Sequence, residues 1–379
     1  MGKRSRFEVA MKVLITGASG FVGKNLIALS KLRADAEILP YDVDNTPEEL
    51  NTMLGQADVI FHLAGVNRPQ RVDEFITGNT GFTGEICTKL IELEHAPKIV
   101  ISSSIQATQD NPYGSSKRGA EEELQRYCTA TGAEGVVYRL KNLFGKWCRP
   151  NYNSVTATFC YNIMHDLPIQ ISDPAYALEL TYIDDVVSAF ITEIDAPAVS
   201  EFRYADTLPS YPITLGMLAD LIRSFRAHRQ TLMLADYSDP FVRALYATFL
   251  SYLDTDQFGY GLEIKSDNRG SLAEFIKSPY IGQLFVSRTN PGITRGNHYH
   301  HTKTEKFMVV QGEGVIRFRH INGTEVFEYP VRSEEYRVVD IPPGYTHHIE
   351  NVGTGEMVTL FWSSNLFDPN APDTYFEAV

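Results

Sequence analysis

The first half of the chain alternates short apolar runs with stretches of helical periodicity. Residues 11–15 and 59–65 are mostly apolar, residues 98–104 have an apolar centre and end in three serines, and a helical stretch through Leu26, Ile27 and Leu29 follows the first run. Strands that are apolar on both faces are typical of parallel sheets covered by helices on each side. The pattern therefore predicts a doubly wound α/β sheet, with the strand ends lining one crevice.

A glycine-rich turn connects the first predicted strand to the first predicted helix. Residues 16–23 read Thr-Gly-Ala-Ser-Gly-Phe-Val-Gly. Glycines at this place let the chain turn tightly and approach a pyrophosphate, to which the helix N-terminus offers amide donors and a positive dipole. The turn predicts a dinucleotide site. The residues expected to line it are Gly17, Ser19, Gly20, Phe21, Val22 and Gly23, together with Leu63, Ala64 and Gly65 at the end of the second run.

An acidic residue, Asp42, stands about twenty residues beyond the turn, in the sequence Pro-Tyr-Asp. If it ends the intervening strand, its carboxylate would bind a ribose 2′-hydroxyl and repel a 2′-phosphate. We then expect NADH to be used as well as NADPH or better. If the strand ends elsewhere, for example near Asp44, Asp42 does not indicate which cofactor is used.

Tyr113 and Lys117 lie four residues apart where a helix is predicted to begin. This spacing places them on one helical face, where an ammonium group could lower the pKa of the phenol. Together with the glycine turn and the serine-ended run 98–104, the pair resembles the extended short-chain dehydrogenase/reductase (SDR) family. The resemblance implies that Tyr113 transfers a proton at the substrate carbinol, Lys117 holds the nicotinamide ribose, and Ser104, or alternatively Ser103, hydrogen-bonds the carbonyl.

A polar loop follows the next apolar run. Residues 138–145 resemble the SDR segment in which Asn142 would contact a sugar nucleotide, and residues 146–154 are polar, aromatic and basic together. Such a loop suits a uracil ring and a diphosphate, although it could also only cap the sheet. The substrate-binding residues that we expect are Asn142, Lys146, Arg149, Asn151, Asn153 and Ser154. Arg68 and Lys141 are further candidate cations, or else solvated surface charges.

The pattern changes in the second half of the chain. Amphipathic helices are predicted over 213–225 and 241–253, and short alternating runs such as 315–319 and 357–362 follow, as a β-barrel requires. We place the domain boundary near Thr255. The expected organisation is a flexible extension over 1–10, a nucleotide-binding domain over 11–254 and an all-β domain over 255–379.

Four residues of metal-ligand type form two linked groups in this all-β region. They are His298, His300, Glu305 and His347. Side chains alternate along a strand, so His298 and His300 would face the same side, and three imidazoles with one carboxylate suit Zn, Fe(II) or Mn better than Ca or Mg. We expect zinc. The metal could be catalytic or could only close a structural tetrahedral site.

The residues around these ligands resemble the cupin family. Gly292-x5-His298-x-His300-x4-Glu305-x6-Gly312 is similar to the first cupin motif, and Pro342-x-Gly344-x2-His347-x3-Asn351 to the second. One glycine expected before Pro342 is replaced by Tyr336, which leaves the start of that strand less certain. The resemblance implies a small β-barrel. The expected fold is thus an α/β Rossmann-type doubly wound parallel sheet of the extended SDR type followed by an all-β cupin barrel.

Composition sets limits on the partners and on the compartment. The chain has 379 residues and a net charge of −13, which argues against a nucleic-acid partner because such binding needs a basic face. Its four cysteines have no Cys-x-x-Cys spacing and are expected to be reduced, as in a cytoplasmic protein. No apolar stretch approaches the length of a membrane span. Since both parent families usually associate, we expect a homodimer by analogy.

Longer segments resemble the bifunctional enzymes of capsular-polysaccharide synthesis, which join an extended SDR reductase to a cupin. These segments include 102–114, 142–148, 150–155, 296–298 and 367–370. The resemblance implies that the cupin domain inverts C3 of a UDP-2-acetamido-2,6-dideoxy-4-hexulose and that the SDR domain then reduces the C4 ketone, giving UDP-2-acetamido-2,6-dideoxy-L-talose. It also implies NADPH, in conflict with the argument from Asp42. For proton transfer at C3 we expect His301, Tyr345 and His348, beside the ligand set, although alternation along a strand could point each of them outward.

Three other functions remain open at this point. An epimerase that keeps NAD bound and inverts C4, or a plain C4-keto reductase, could carry the cupin as an inert dimerisation module. A metal-dependent oxygenase would need Fe(II) and O2, and no cosubstrate site for that is evident in the sequence. A regulator that binds a sugar nucleotide without turnover is disfavoured by the intact Ser104, Tyr113 and Lys117.

Overall fold

The computed structural model describes residues 10–31, 35–197, 199 and 201–379, and it divides into two compact units. The first unit comprises the described residues up to Ile222 together with Ala244–Leu253, and the second comprises Arg223–Arg243 together with Asp254–Val379. The boundary predicted near Thr255 would place residues 223–243 in the first unit, but in the structure these residues pack with the second unit. The predicted extension over 1–10 lies outside the described residues except for Ala10.

The first unit is built on a six-stranded parallel sheet with strand order β2-β1-β3-β4-β5-β8. Its strands are β1 (Met11–Thr16), β2 (Ala36–Tyr41), β3 (Val59–His62), β4 (Lys98–Ser104), β5 (Gly135–Leu140) and β8 (Phe202–Tyr204). A second, three-stranded sheet holds β6 (Asn142–Phe144), β7 (Ala177–Tyr182) and β9 (Tyr211–Thr214) in the order β6-β7-β9. The doubly wound sheet predicted from the apolar runs is confirmed.

Helices cover both faces of the parallel sheet. They are α1 (Phe21–Ser30), α2 (Pro47–Leu54), α3 (Asp73–Phe75), α4 (Phe82–Glu92), α5 (Pro112–Thr131), α6 (Val155–Met164) and α7 (Ile183–Asp195), with a π-helical turn at Ile76–Gly81 and a 3-10 turn at Ile105–Thr108. Leu14 packs into the apolar layer on one face, and its neighbours Val13 and Ile15 pack into the layer on the other. The strands are therefore apolar throughout because both faces are buried.

Two further helices follow the sheet along the chain, α8 (Leu215–Thr231) and α9 (Pro240–Leu250), where the sequence predicted helices over 213–225 and 241–253. A 3-10 turn at Thr255–Gln257 leads into the β-strands. Among the described residues, none of the helices combines the length and the apolar character needed to cross a membrane.

The second unit contains two antiparallel sheets, with orders β10-β11-β12-β19-β14-β17 and β16-β15-β18-β13-β20. Apolar side chains such as Phe307, Ile316 and Met357 are buried together between strands of the two sheets. This arrangement confirms the predicted all-β region. The strands are β10 (Ile264–Asp267), β11 (Gly270–Ser278), β12 (Gly282–Thr289), β13 (Thr294–Tyr299), β14 (Glu305–Gln311), β15 (Glu313–His320), β16 (Val326–Arg332), β17 (Val338–Ile341), β18 (Tyr345–Asn351), β19 (Met357–Ser363) and β20 (Tyr375–Phe376).

The replacement of the expected cupin glycine by Tyr336 has a visible consequence. Tyr336 has a φ of +44°, in the left-handed region that a glycine would adopt without strain, and β17 begins two residues later at Val338. The turn is thus retained with a bulky residue at the glycine position, and the side chain of Tyr336 is exposed.

Candidate active site and candidate metal centre

The glycine turn of the first unit packs against the end of β3. Gly17 has a φ of +69°, and a Cβ atom there would lie 2.7 Å from the main-chain nitrogen of Ala64. A Cβ atom on Gly23 would lie 2.2 Å from the carbonyl oxygen of Gly17. Gly20 is the N-cap of α1 and has no side chain that could cap the main-chain N–H groups of the helix. The close packing and the open helix N-terminus fit a dinucleotide, because a phosphate can approach the main-chain amides there.

Asp42 directly follows the last residue of β2, which pairs with β1. Its Oδ2 atom accepts a hydrogen bond from the main-chain N–H of Ser19 at 2.6 Å, and Oδ1 accepts one from Val43 N–H at 2.8 Å. An acid thus stands at the end of β2, as the expectation of NADH use required. The structure also brings the carboxylate to the glycine turn, where a cofactor ribose would lie.

Ser104 and Tyr113 are brought together by β4 and α5. Ser104 is the last residue of β4, and its side chain is hydrogen-bonded to Tyr113 in the first turn of α5. Ser103, on the opposite face of the strand, donates its hydroxyl proton to Oε1 of Glu121 at 2.5 Å. Of the two serines that the sequence left open, Ser104 is therefore the one beside the phenol.

The ionisation of Tyr113 differs from the expectation. Burial raises the pKa of Tyr113, and the hydrogen bond with Ser104 opposes this only in part. The expected lowering by Lys117 is not found, and the Lys117 ammonium instead donates to the carbonyl oxygen of Ser102 at 3.0 Å. Burial also lowers the pKa of Lys117 to about 8, against the opposing effect of Glu121. At neutral pH the phenol is therefore protonated and the ammonium is charged.

A buried ionic group lies one helical turn beyond Lys117. The carboxylate of Glu121 accepts hydrogen bonds from Arg139 Nε at 2.9 Å, from Arg139 Nη2 at 2.5 Å and from the Tyr204 hydroxyl at 3.1 Å. Glu121 was not predicted from the sequence, although its position four residues after Lys117 on one helix was a signal that could have revealed it.

The loop 146–154 separates into residues with local partners and residues without them. Lys146 pairs with Asp184, Asn151 bonds to Thr158 and Asn162, and the Ser154 hydroxyl caps α6 by accepting from Ala157 N–H. Outside this loop, Lys141 pairs with Glu179, and Asn142 donates to the Glu179 carbonyl. Asn153 is exposed.

Two arginines instead meet on one aromatic ring. The guanidinium of Arg149 lies 5.0 Å from the ring centroid of Tyr152, and that of Arg68 lies 5.7 Å from the same centroid. Both arginines are exposed, and among the described residues neither forms an ion pair with a carboxylate. Of the candidate cations, Arg68 and Arg149 are thus free to bind an anion, whereas Lys141 and Lys146 are neutralised.

The four predicted metal ligands converge in the second unit. One ligand atom from each of His298, His300, Glu305 and His347 lies within 4.8 Å of the other three. A β-bulge between Gly296 and His298 sets the register that pairs His298 with His347 across β13 and β18. Nε2 of His300 and of His347 are buried without a hydrogen-bond partner and lie 3.4 and 3.5 Å from Oε2 of Glu305.

The pKa values of two residues in this cluster favour the protonation states that bind a metal. Burial lowers the pKa of His298 to about 4, with a further contribution from His347. Burial acts to raise the pKa of Glu305, but the nearby imidazoles of His300 and His347 outweigh it and hold that pKa well below its usual range. An anionic carboxylate and neutral imidazoles are the forms that bind a metal, so these residues fit a mononuclear centre.

The expected proton-transfer residues lie on different sides of the barrel wall. Tyr345 is two residues before His347 on β18 and packs against the barrel core. His348 alternates to the other face, where it bonds to Asn297. The ring of His301 contacts those of Tyr299 and Tyr375. Tyr345 therefore shares the inward face of β18 with His347, whereas His348 lies on the opposite face.

One ionisable residue near the cluster was missed. The ammonium of Lys303 lies 3.9 Å from Oε1 of Glu305 and donates to Oγ1 of Thr374 at 2.8 Å. Its side chain is mostly buried. Its place between His300 and Glu305 in the sequence was the available signal.

A cavity of about 490 Å³ opens in the same unit, and its lining residues do not include the four ligands. Phe318, which pairs with His347 across β15 and β18, lines it, as does Tyr345. The remaining wall is mostly apolar, with two aromatic rings, one cation and one carboxylate, a composition typical of small-molecule sites. Its other lining residues are Phe327, Tyr329, Arg337, Val338, Val339, Asp340 and Pro342.

Comparisons with known proteins cover nearly the whole chain. Residues 13–201 match the NAD dependent epimerase/dehydratase family, and residues 265–375 match the polysaccharide biosynthesis C-terminal domain. The chain is 43% identical over 365 residues to a UDP-2-acetamido-2,6-beta-L-arabino-hexul-4-ose reductase of Pseudomonas aeruginosa, spanning 96% of this chain and 98% of that protein.

The solved structures that resemble this chain include a protein of capsular polysaccharide assembly. The capsular polysaccharide assembling protein CapF from Staphylococcus aureus superposes with a TM-score of 0.90 at 47% identity, over 97% of this chain and 100% of that one. A UDP-glucose 4-epimerase from Thermotoga maritima, 17% identical, covers 64% of this chain and 98% of its own with a TM-score of 0.53, and shows a shared fold alone.

Proposed function

This chain belongs to the family of CapF, in which an extended SDR reductase fold is followed by an all-β cupin barrel, and from that membership we propose a two-step enzyme. In this proposal the first unit reduces the C4 ketone of a UDP-linked 4-keto-6-deoxy-N-acetylhexose. The second unit inverts C3 of the same ketone beforehand. The observation that carries the reduction is the hydrogen-bonded pair Ser104 and Tyr113 at the crevice beside the glycine turn.

The reduction needs a proton donor at the C4 oxygen. When bound, the nicotinamide supplies the hydride. Tyr113 donates the proton, since burial raises its pKa and keeps the phenol protonated at neutral pH. Ser104 positions the carbonyl through the hydroxyl that already contacts Tyr113. Lys117 remains charged below a pKa of about 8 and holds the cofactor ribose.

The diphosphate of the substrate needs positive charge on a protein whose net charge is −13. Arg68 and Arg149 are held on the ring of Tyr152 and have no carboxylate partner among the described residues. Guanidinium groups bind phosphates in bidentate fashion, and prior orientation on a ring lowers the entropy lost on binding. We therefore assign the diphosphate to this arginine pair.

The inversion at C3 is supported by the second unit. The C3 proton is acidic because it lies next to the C4 ketone, so a base, an acid and a group that stabilises the enolate are required. His298, His300, Glu305 and His347 would hold zinc, which when bound supplies positive charge near the enolate. Tyr345 shares the inward strand face of His347, lines the cavity and is our choice for one proton transfer, with Lys303, which lies close to Glu305, as the second ionisable group.

The test is proton NMR of the protein with the UDP-4-keto-6-deoxy-N-acetylhexose in D2O, before and after addition of NADPH or NADH. We expect deuterium to enter C3 before the cofactor is added, and stoichiometric cofactor oxidation afterwards. The Tyr113→Phe variant should retain C3 exchange and lose reduction, whereas His347→Ala should lose metal and C3 exchange. Reduction without C3 exchange in the wild-type protein would leave a plain reductase with a structural barrel.

A further inference from the structure

The C-terminal segment of the chain lies against the four-ligand cluster. We propose that this segment, residues 372–377, is part of the metal site and that Asp373 is a positioning residue that orients His300 toward the metal. The inference rests on the proposed metal centre of the second unit. None of the four ligands comes from this segment. The segment is proposed to hold the ligands in position and does not itself bind the metal.

The first support is a hydrogen bond to a ligand ring. Nδ1 of His300 lies 2.6 Å from the main-chain oxygen of Asp373, and His300 is buried. A carbonyl oxygen only accepts, so Nδ1 carries the proton and Nε2 keeps its lone pair. Nε2 is the atom without a partner that faces the cluster. Partners of this kind fix the tautomer and the ring orientation of metal-binding histidines.

The second support is the side chain of Asp373. Its carboxylate accepts hydrogen bonds from the main-chain N–H groups of His301 at 2.9 Å, Thr302 at 2.9 Å and Lys303 at 2.8 Å. It also accepts one from the Thr302 hydroxyl at 2.9 Å. Asp373 thus binds the turn between two ligands, His300 and Glu305, by its side chain and the His300 ring by its main chain.

The backbone of Asp373 is held in an unusual conformation by these contacts. Its φ is +42°, a left-handed value that costs free energy for a residue other than glycine and persists only where the surroundings enforce it. Four hydrogen bonds to one carboxylate and a fifth to the main-chain oxygen supply that enforcement. The conformation aims the carbonyl oxygen of Asp373 at the His300 ring.

The rest of the segment is attached to the two strands that carry the other histidines. β20 pairs with β13, placing Phe376 opposite His298. On β18, Thr346 donates its hydroxyl proton to the main-chain oxygen of Glu377. The carboxylate of Glu377 pairs with Arg319 at 2.6 Å. The C-terminal segment therefore contacts the strand or the ring of each of the three histidine ligands.

The test compares metal binding by Asp373→Ala, Asp373→Asn and a matched control, Asp368→Ala. Asp368 is a nearby acid that precedes this segment, and among the described residues its side chain bonds only to Asn370. Zinc dissociation constants come from competition with a chromophoric chelator, and the cobalt-substituted proteins give a visible absorption spectrum that reports ligand geometry. We expect about 10- to 100-fold weaker zinc binding for Asp373→Ala, an altered cobalt spectrum and partial rescue in Asp373→Asn. Asp368→Ala should bind as the wild type does.

A second measurement requires no variant. The 15N shifts of the His300 ring in the zinc-free wild-type protein should show the Nδ1–H tautomer. The opposite tautomer, or unchanged zinc affinity and cobalt spectrum in Asp373→Ala, would overturn the role of Asp373. Wild-type protein that binds no zinc would instead contradict the proposed metal centre itself, so the two failures are distinguishable.

Discussion

The carboxylate of Asp42 accepts a 2.6 Å hydrogen bond from the main-chain N–H of Ser19, which links the end of β2 to the glycine turn. An acid at this place binds a ribose 2′-hydroxyl and repels a 2′-phosphate. We expect NADH to support C4 reduction at least as well as NADPH. In Asp42→Ser, the ratio of kcat/KM for NADPH to that for NADH should rise about tenfold or more, because a negative charge is removed.

The matched control for this cofactor test is Asp44→Ser. Asp44 is exposed two residues further on and makes none of the contacts of Asp42 with the turn. Its substitution should leave the cofactor ratio unchanged. A wild-type enzyme with a strong preference for NADPH, unaltered in Asp42→Ser, would show that Asp42 does not contact the ribose.

The two neighbouring serines are predicted to behave differently. Ser104 bonds to Tyr113, so Ser104→Ala should reduce kcat for reduction by about 10- to 100-fold with little effect on unfolding. Ser103 bonds to buried Glu121, so Ser103→Ala should cost about 1 kcal/mol of stability and leave kcat within a few-fold. Steady-state kinetics and urea unfolding of both variants provide the measurements. Equal losses of kcat would contradict the assignment of Ser104.

The pH dependence of reduction follows from two groups with shifted pKa values. Lys117 has a pKa lowered by burial to about 8, and Tyr113 must stay protonated to act as a donor. The rate of reduction should therefore be constant below about pH 8 and fall above it. Since Glu121 raises the pKa of Lys117, Glu121→Gln should move this fall to lower pH. An unchanged profile in Glu121→Gln would show that another group sets the limit.

The same pKa determines the contribution of Lys117 to stability. Its pKa of about 8 in the folded protein lies below its ordinary value of 10.5, so between these pH values the unfolded chain binds more protons. The penalty for burying the charged Lys117 is then complete below pH 8 and is relieved as the pH rises toward 10.5. Urea unfolding of the wild type and of Lys117→Met across this range would measure the difference.

Residues that neighbour one another along the chain were easier to predict than residues that tertiary contacts bring together. The glycine turn, the Tyr113 and Lys117 pair, and His298 with His300 were predictable because spacing along one short segment fixes their relative positions. Asp373 lies about seventy residues from His300, and only the pairing of β20 with β13 brings it there. Alternation could not tell which of His301, Tyr345 and His348 point inward, and in the structure Tyr345 shares the inward face of β18 with His347.

The last prediction concerns the two arginines on Tyr152. Their guanidinium groups lie 5.0 and 5.7 Å from one ring centroid and have no described carboxylate partner, so they should bind the substrate diphosphate. Arg68→Ala and Arg149→Ala should each raise KM for the UDP-sugar about tenfold or more, with a smaller change in kcat. The binding of UDP should weaken in both variants, and that of uridine should not. Lys141→Ala is the control, because Lys141 is already neutralised by Glu179 and its loss should leave KM nearly unchanged. If UDP and uridine weaken equally in the arginine variants, these residues support the shape of the loop and do not contact phosphate.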